Sequence, residues 1–360
     1  MSTSPFPARP LRFGVQRRPD VVLFGAGMIA GVHAAACQSL DWPIRAVASR
    51  NAERASDLAR TVGARPCSFD DVVAERQGDI AIVATPPASH VDDAIRLLDA
   101  GYQVVVEAPI ACSLAEADRL IDAERRVGRQ VLYSEHLVAS PVIDGLLADV
   151  VGIGTLTHLS ARAIQAPPTW RTATGQEWGG GALFDLGVHP VGVTLRTAMQ
   201  AGAGPPEHLT ALVTDASTER EHATVRLHFA AGLVAAIVVG WQPGATPDWD
   251  VQASSASGVL RAELYPQPSL ERNGEPINTG LRRVIGPSLV DDYGYAPQLK
   301  RFWTNIRTGR PVPATSELGR QVLEVISAAH WSAGRNAIEV PLPFRGPRAQ
   351  TPLQLLEVTP

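Results

Sequence analysis

Residues 21–33, VVLFGAGMIAGVH, decide the fold of this 360-residue chain. Four apolar residues lead into the glycines of GAGMIA, and a helical pattern follows. A strand, a glycine turn and a helix in this order predict a dinucleotide site, in which Gly25 permits the tight turn and Gly27 lets the backbone approach a pyrophosphate. The helix N-terminus, with Met28 and Ile29 in its first turn, would hold the phosphates. A purely structural glycine turn is the alternative, and the surrounding pattern favours binding.

The first third of the chain repeats this alternation. Short β-branched runs predict strands near 20–25, 43–49, 79–84, 103–106 and 129–134. Helical patterns lie between them, at 28–40, 51–62, 88–100 and 113–127. The last helix opens with Ser113 and Glu116, which have the spacing of a capping box. Short connections between alternating strands and helices predict a doubly wound parallel sheet of the Rossmann type.

After Pro141 the pattern changes. A helical stretch at 142–149 precedes long alternating runs such as HATVRLHF, and strands without helices between them predict an antiparallel sheet. Further helices are predicted at 181–198, 294–308 and 316–334. The predicted fold class is α/β, an N-terminal Rossmann sheet followed by an α+β domain with a large, mainly antiparallel open sheet. We expect the late helices to pack back toward the first domain.

The length favours two domains over one small core. We predict a flexible arm at 1–18, a nucleotide-binding domain at 19–137, a second domain at 138–345 and a tail at 346–360.

Composition limits the class of partner. The formal charge is −4 and the arginines are scattered among acids, which argues against nucleic acid. No run of about 18 apolar residues lacks a charge or a turn residue, so a membrane span is not expected. The three cysteines lack metal-ligand spacing and fit unpaired thiols in a reducing compartment. We expect a soluble, cytoplasmic protein that binds a small molecule.

The end of the second predicted strand bears on the choice between NAD and NADP. NAD sites usually place an acid there, about 20 residues after the glycines, but this chain has Ser49, Arg50 and then Arg54. Guanidinium groups suit a 2′-phosphate because their donors are charged and fixed in geometry. We therefore predict NADP, with NAD as the alternative if both arginines are solvated residues of a surface helix.

A polar rim follows the third long strand. Thr85 and Pro86 stand at its C-terminal end, where doubly wound sheets bind ligands, and His90 lies just beyond. Two interpretations of His90 remain open. It lines the ligand site, or it packs within the first turn of the helix that follows.

Several motifs together resemble the Gfo/Idh/MocA family of NAD(P)-dependent oxidoreductases. They are GAGMIAGVH, DIAIVATPPASH, GYQVVVEAP, GGGALFDLGVH and the closing pattern GRPVPATSELGRQVLEVISAAHWSA. The resemblance implies a Rossmann domain, a second domain with a large open sheet through which subunits form a homo-oligomer, a dimer or a tetramer, and hydride transfer at a carbon bearing oxygen, commonly on a sugar or cyclitol.

The motif at 107–109 departs from the family. The resemblance implies Glu-Lys-Pro, with a lysine near the reacting oxygen and the nicotinamide, but the chain has Glu107, Ala108 and Pro109. General loss of lysine in an arginine-rich chain would have left Arg and kept the charge. The single lysine, Lys300, lies in a different predicted helix. We interpret Ala108 as an alteration of the site.

Two further signature positions remain. Asp185 and His189 stand four apart on the predicted helix and would share a face. The resemblance implies that His189 is the general acid or base, with Asp185 orienting it, and an imidazole titrates near neutrality. A helix-terminal Asp with a core His is the structural alternative. Many relatives carry an acid three residues after this histidine, where the chain has Gly192.

Other substrate contacts are predicted from position. Glu135 and His136 follow the last Rossmann strand. Trp170, Arg171 and Trp178 precede the triple glycine, where they form a rim over the substrate or, as the alternative, only pack the loop. No third ligand beside Asp185 and His189 has a recognisable spacing, so no metal site is expected.

Three functions agree with these features. The first is an NADP-dependent oxidoreductase acting on a sugar, a polyol or a related small molecule through His189. The second is an enzyme that uses its cofactor in a redox-neutral step, as glycosidase-like members of the resembled family do. The third is a non-catalytic NADP-binding sensor or partner protein.

Overall fold

The computed structural model describes residues 17–169, 180–280, 288, 290–312 and 314–357. Trp170, Arg171 and Trp178, predicted as a substrate rim, lie outside the described residues, as does most of the predicted arm.

The N-terminal part alternates strands and helices. Its strands are β1 (Val21–Phe24), β2 (Ile44–Ala48), β3 (Arg65–Cys67), β4 (Ile80–Val83), β5 (Gln103–Glu107) and β6 (Val131–Ser134). Its helices are α1 (Met28–Ser39), α2 (Ala52–Val62), α3 (Phe69–Glu75), α4 (Pro87–Asp99) and α5 (Leu114–Val127). Within the described residues the strands are all parallel in the order β3-β2-β1-β4-β5-β6. The doubly wound sheet is confirmed.

The parallel strands are buried on both faces because helices cover the sheet on each side. All four residues of β1 and of β4 are buried. The predicted capping box forms, with Ser113 accepting from Glu116 N–H and the Glu116 carboxylate bonding back to Ser113 N–H. The alternation of apolar strands and capped helices was thus sufficient to predict the doubly wound sheet.

The short edge unit β3–α3 was not predicted. Three residues that include Pro66 form β3, and such a run is too short to show a strand period. The signal that could have found α3 is its capping box, in which Ser68 accepts from Asp71 N–H.

The second part is built on a large open sheet. Its strands are β7 (Leu156–Gln165), β8 (Pro206–Thr214), β9 (His222–Phe229), β10 (Val234–Trp241), β11 (Asp248–Ser255), β12 (Gly258–Tyr265), β13 (Ser269–Arg272), β14 (Glu275–Pro276) and β15 (Val340–Pro341). In the described part of the chain their order is β14-β13-β12-β11-β7-β10-β9-β8-β15. Neighbours are antiparallel except β7 and β10, which are parallel. The mainly antiparallel sheet is confirmed.

The described helices of this part are α6 (Pro141–Asp149), α7 (Ala182–Asp185), α8 (Val188–Gln200), α9 (Tyr295–Thr308), α10 (Ser316–Ala333) and α11 (Pro352–Leu356), with 3-10 turns at His136–Ala139 and Val150–Ile153. Of these, α6, α7, α8 and α10 pack on the sheet, whereas α9 packs on α1 and α11 packs on α10. The inward side chains of β7, such as Leu159, Ala161 and Ala163, are buried and alternate with outward residues. No described helix has the length and apolarity needed to cross a bilayer.

The prediction of one continuous helix over 181–198 was wrong. The chain breaks at Leu186 and Gly187, between α7 and α8. The reason is Pro190, which has no N–H and whose ring would clash with the carbonyl four residues earlier inside a longer helix. In the first turn of α8 the proline is tolerated.

The late helices pack against the Rossmann part, as predicted. The Trp303 indole of α9 donates to the Arg17 carbonyl at 2.7 Å. Arg320 of α10 pairs with Asp118 of α5 at 2.9 Å. These contacts tie α9 and α10 to the N-terminal part of the chain.

Candidate active site

A cavity of about 620 Å³ opens at the C-terminal ends of β1, β2, β4 and β5. Every residue predicted to bind the cofactor lines it, from Gly25 to Ala108, and so do Asp185 and His189. On the other wall stand Gln165, at the end of β7, and Trp249 of β11. The cavity therefore lies between the carboxyl edge of the parallel sheet and the second sheet.

The glycine loop has the geometry that a pyrophosphate needs. Gly25 has φ +128°, and a Cβ there would lie 2.4 Å from the Ala84 carbonyl oxygen, so only glycine fits. A Cβ on Gly27 would meet nothing within 4 Å, and Gly27 gives α1 no side-chain cap. The first amides of α1 are thus left for an anion beside open space. These residues fit a bound dinucleotide.

The end of β2 presents two guanidiniums to the cavity. Asn51 caps α2 by accepting from Arg54 N–H at 2.9 Å, and Ser49 Oγ accepts from Asn51 N–H at 3.2 Å. Arg50 and Arg54 line the cavity. Within the described residues neither guanidinium is engaged in an ion pair, so both are available to a phosphate.

His90 clamps the rim. Its ring nitrogens lie 2.8 Å from the Pro109 carbonyl and 2.6 Å from the Thr85 carbonyl. Burial lowers the pKa of His90 although both carbonyls favour the charged form. His90 therefore agrees with both interpretations, because it lines the cavity and is also buried in the first turn of α4.

Glu107 anchors the strand end from beneath. Its carboxylate lies 2.5 Å from His33 Nε2 and accepts from the Ser134 hydroxyl at 2.8 Å. The other oxygen accepts from the N–H of Ala108 at 3.1 Å. Burial disfavours the carboxylate, but the hydrogen bond and charge of His33 prevail and lower the pKa of Glu107. The ionised carboxylate of Glu107 therefore holds the backbone of Ala108 at the cavity wall.

His189 is paired with Glu135. The imidazole Nδ1 lies 3.0 and 2.9 Å from the two carboxylate oxygens of Glu135, whose side chain is 0% exposed. Burial opposes the charged imidazole, but the charge and hydrogen bond of Glu135 prevail and raise the pKa of His189. The His189 side chain is 16% exposed and reaches the cavity. The arrangement suits a proton donor or acceptor whose other nitrogen, Nε2, serves a ligand.

Gly192 makes room for this pair. A Cβ on Gly192 would lie 3.0 Å from Cγ and 3.4 Å from Cδ of Glu135. The Glu135 side chain, which comes from another element, thus packs against the bare Cα of Gly192.

Glu135 contacts His189 and not the cavity. Its carboxylate lies against His189 Nδ1, and the side chain, predicted to contact substrate, is fully buried and is not among the residues that line the cavity. Asp185 lines the cavity, and its charge adds to the raised pKa of His189. The orienting role of Asp185 stays a prediction.

His136 also lies behind the cavity wall. It is 3% exposed, and its Nδ1 donates to the Tyr293 carbonyl at 2.6 Å. Burial, with the neighbouring His189, lowers the pKa of His136 to about 3. Its ring stacks on Tyr295 with centroids 4.0 Å apart. His136 is therefore a neutral packing residue.

Three aromatic residues of the wall, Phe69, Trp249 and Tyr295, were not predicted from the sequence. Trp249 stacks on His189 with centroids 5.4 Å apart, and Tyr295 begins α9. The alternation DWDVQ could have placed Trp249 on the inner face of its strand. No local signal brings Tyr295 to the cavity. In the described part of the chain no His, Cys, Asp and Glu cluster could hold a metal.

Comparison with known proteins matches both parts of the chain. Residues 20–135 match the Gfo/Idh/MocA oxidoreductase family, described as an NAD-binding Rossmann fold, and residues 147–258 match the Gfo/Idh/MocA C-terminal domain. Together these segments make up more than half of the chain.

Individual relatives agree. The chain is 29% identical over 307 residues to the uncharacterized oxidoreductase ORF334 of Rhizobium meliloti, covering 81% of this chain and 89% of that protein. It is 29% identical over 179 residues to D-glucoside 3-dehydrogenase of Escherichia coli, 47% of this chain and 51% of that enzyme, so that alignment spans about half of each.

The fold is similar to solved structures. The crystal structure of GenD2 from gentamicin A biosynthesis in complex with NAD superposes with a TM-score of 0.78 at 24% identity, covering 93% of this chain and 99% of that chain. The two matched segments, the glycine loop at the cavity and this fold lead to one conclusion. The chain belongs to the Gfo/Idh/MocA family of NAD-binding oxidoreductases.

Proposed function

We propose that the protein is an NADP(H)-dependent oxidoreductase that transfers hydride to or from a hydroxyl-bearing or carbonyl carbon of a sugar, a polyol or a related small molecule. The observation that carries the proposal is the position of His189. Its imidazole, backed by the Glu135 carboxylate at 2.9 Å, lines the same cavity as the glycine loop.

The proton chemistry follows from this pair. A bound nicotinamide would accept or supply the hydride. In the oxidising direction, Nε2 of neutral His189 takes the hydroxyl proton while the carbon–oxygen double bond forms. The buried Glu135 carboxylate stabilises the resulting imidazolium, and in the reducing direction the imidazolium returns the proton to the oxygen. Glu135 thus holds the ring and sets its proton affinity, while of these two residues only His189 contacts the substrate.

The NADP preference rests on Arg50 and Arg54. Both face the cavity beside Ser49, at the strand end where an acid would bond the ribose hydroxyls of NAD. An acid there would repel a 2′-phosphate, whereas two guanidiniums attract it. The dissociation constants for NADP and NAD test this, and equal affinities or tighter NAD would reject it.

The substrate class is supported by relatives. D-glucoside 3-dehydrogenase is one, and dTDP-3,4-didehydro-2,6-dideoxy-alpha-D-glucose 3-reductase of Streptomyces violaceoruber is 34% identical over 155 residues, 44% of that enzyme. Both names describe redox chemistry on a sugar-related carbon. By family resemblance we also propose assembly as a dimer or tetramer through the open sheet, which light scattering would measure.

Turnover is tested by absorbance of the reduced nicotinamide, with purified protein, NADP or NADPH and a panel of sugars, ketoses and inositols. We expect net turnover with at least one member. In that assay His189→Ala should lose at least about a hundredfold in kcat, since a positioned acid or base contributes about a hundredfold to ten-thousandfold. Its dissociation constant for NADP should stay within about threefold of wild type, because His189 stands on the wall opposite the glycine loop. An active variant would remove His189 from the mechanism.

Other outcomes favour the other functions. Product formation without net change of cofactor would favour a redox-neutral enzyme. Tight NADP binding with no product across the panel would favour a sensor.

A further inference from the structure

Tyr295 lies in the cavity wall together with Ala108 and His189. It is the first residue of α9 and follows Gly294, which has φ +91°. A Cβ on Gly294 would lie 2.0 Å from the His136 carbonyl oxygen. The glycine therefore permits the close approach that brings the tyrosine ring to the site.

Two histidine rings hold the Tyr295 ring. It stacks on His136 at 4.0 Å and 13°, and it meets the His33 ring edge-on at 5.7 Å and 90°. His136 in turn lies 5.0 Å from His189, and His33 is bonded to Glu107, the residue before Ala108. The tyrosine thus stands between the two sides of the reacting region, the Ala108 side and the His189 side.

The hydroxyl of Tyr295 has no protein partner among the described residues. Tyr295 is 8% exposed. Burial and the Glu107 carboxylate raise its pKa well above the ordinary value, so it keeps its proton over the whole working range. A phenol in this state donates a hydrogen bond and does not exchange a proton.

Two histidines near Tyr295 are already engaged. The His136 Nδ1–H donates to the Tyr293 carbonyl, and both ring nitrogens of His90 face backbone carbonyls. Lys300 is exposed on α9. Ala108 offers only a methyl group.

We propose that the Tyr295 hydroxyl donates a hydrogen bond to the reacting oxygen of the substrate, from the part of the cavity left open by Ala108. The proposal rests on the proposed oxidoreductase function and deepens it. His189 moves the proton to or from that oxygen, while Tyr295 binds the oxygen's other lone pair and stabilises the negative charge that develops as hydride arrives or leaves. No proton is transferred by Tyr295, so the proton balance of the reaction is that of His189 alone.

The test is Tyr295→Phe, which keeps the ring that stacks on His136 and removes only the hydroxyl. The matched control is Tyr293→Phe, whose hydroxyl donates to the Pro266 carbonyl at 3.4 Å. Both are assayed with NADP(H) and the substrate found for the wild type. We expect Tyr295→Phe to lower kcat by about a hundredfold, the effect typical of a lost donor to a developing oxyanion. Tyr293→Phe should stay within about threefold of wild type.

Three more readouts separate a donor from a packing residue. The dissociation constant for NADP and the melting temperature of Tyr295→Phe should match those of the wild type. The pH midpoint of turnover should also be unchanged, because His189 alone titrates.

Four results would overturn the proposal. They are kcat of Tyr295→Phe within about threefold of wild type, an equal loss in Tyr293→Phe, a collapse of stability or NADP binding in Tyr295→Phe, and a displaced pH midpoint in that variant. If the wild type itself shows no turnover while binding NADP, the proposed function falls and takes this inference with it. Loss of the inference alone would leave wild-type turnover intact.

Discussion

Both carboxylate oxygens of Glu135 lie within hydrogen-bonding distance of Nδ1 of His189, at 3.0 and 2.9 Å. The two residues are 54 positions apart and come from different parts of the chain. Because Nδ1 is engaged, Nε2 is the nitrogen left for a substrate in the cavity. The pair therefore fixes both the orientation of the imidazole and the pH at which it changes charge.

Removing the charge of Glu135 should move the pH profile. In the oxidising direction His189 must be neutral, so activity is lost as pH falls through its pKa. Glu135 raises that pKa above the ordinary value of 6.5, so the wild-type midpoint should lie above 6.5. Glu135→Gln keeps the size of the side chain and should shift the midpoint of kcat to lower pH, as measured from pH 5 to 9. Asp185→Asn should shift it less, because Asp185 contributes less to the raised pKa. An unchanged midpoint in Glu135→Gln would contradict the pairing.

A methyl group at position 192 should disturb the same pair. The added Cβ of Gly192→Ala would lie 3.0 Å from Glu135 Cγ, so the glutamate side chain must shift and its contact with His189 is disturbed. We expect kcat to fall severalfold and the pH midpoint to move down, although alanine favours a helix over glycine by about 1 kcal/mol. The control is Gly152→Ala, where the new Cβ meets only Arg272 Nη2 at 3.7 Å. Equal activity of the two variants would show that Gly192 has no such role.

Cofactor choice should depend on the guanidiniums at the end of β2. The double variant Arg50→Gln, Arg54→Gln should raise the dissociation constant for NADP at least about tenfold, since hydrogen bonds to charged groups contribute about 1.5–3 kcal/mol each. The constant for NAD should stay within about threefold. Arg60→Gln on the same helix is the control, because Arg60 pairs with Asp57 at 3.2 Å. Parallel losses for NADP and NAD would mean that the arginines do not contact the 2′-phosphate.

Substituting lysine for Ala108 tests how this residue affects the choice of substrate. Ala108→Lys would place an ammonium group next to Glu107 and in the open part of the cavity. We expect kcat/KM to rise for small sugars that the wild type uses poorly and to fall for bulkier substrates, measured over the same panel. Ala108→Met, of similar length without the charge, should show only the second effect. No gain with lysine would indicate that the pocket has diverged beyond this residue.

Local patterns carried most of the fold. Apolar runs with a two-residue or a 3.6-residue period, capping boxes and glycine turns act within a few neighbours, so they can be recognised along the chain. The misses have local causes too. The unit at Arg65–Glu75 is too short for periodicity, and Pro190 splits a helix that hydrophobic spacing alone made continuous.

The contacts within the candidate active site were harder to predict from local patterns. His189 and Asp185 were named by motif, and both line the cavity. The family resemblance implied that Asp185, four residues away, orients His189, and it gave no sign that the Glu135 carboxylate bonds to Nδ1 of His189.

The sequence by itself determined the dinucleotide loop, most of the order of strands and helices and the alanine at position 108, because each depends on adjacent residues. The tertiary structure decided that the Glu135 carboxylate bonds to Nδ1 of His189 and that Tyr295 lines the cavity. Those choices depend on how the turn after β6 packs on α8 and on the close approach at Gly294, and such contacts between distant segments have no signature in a single sequence.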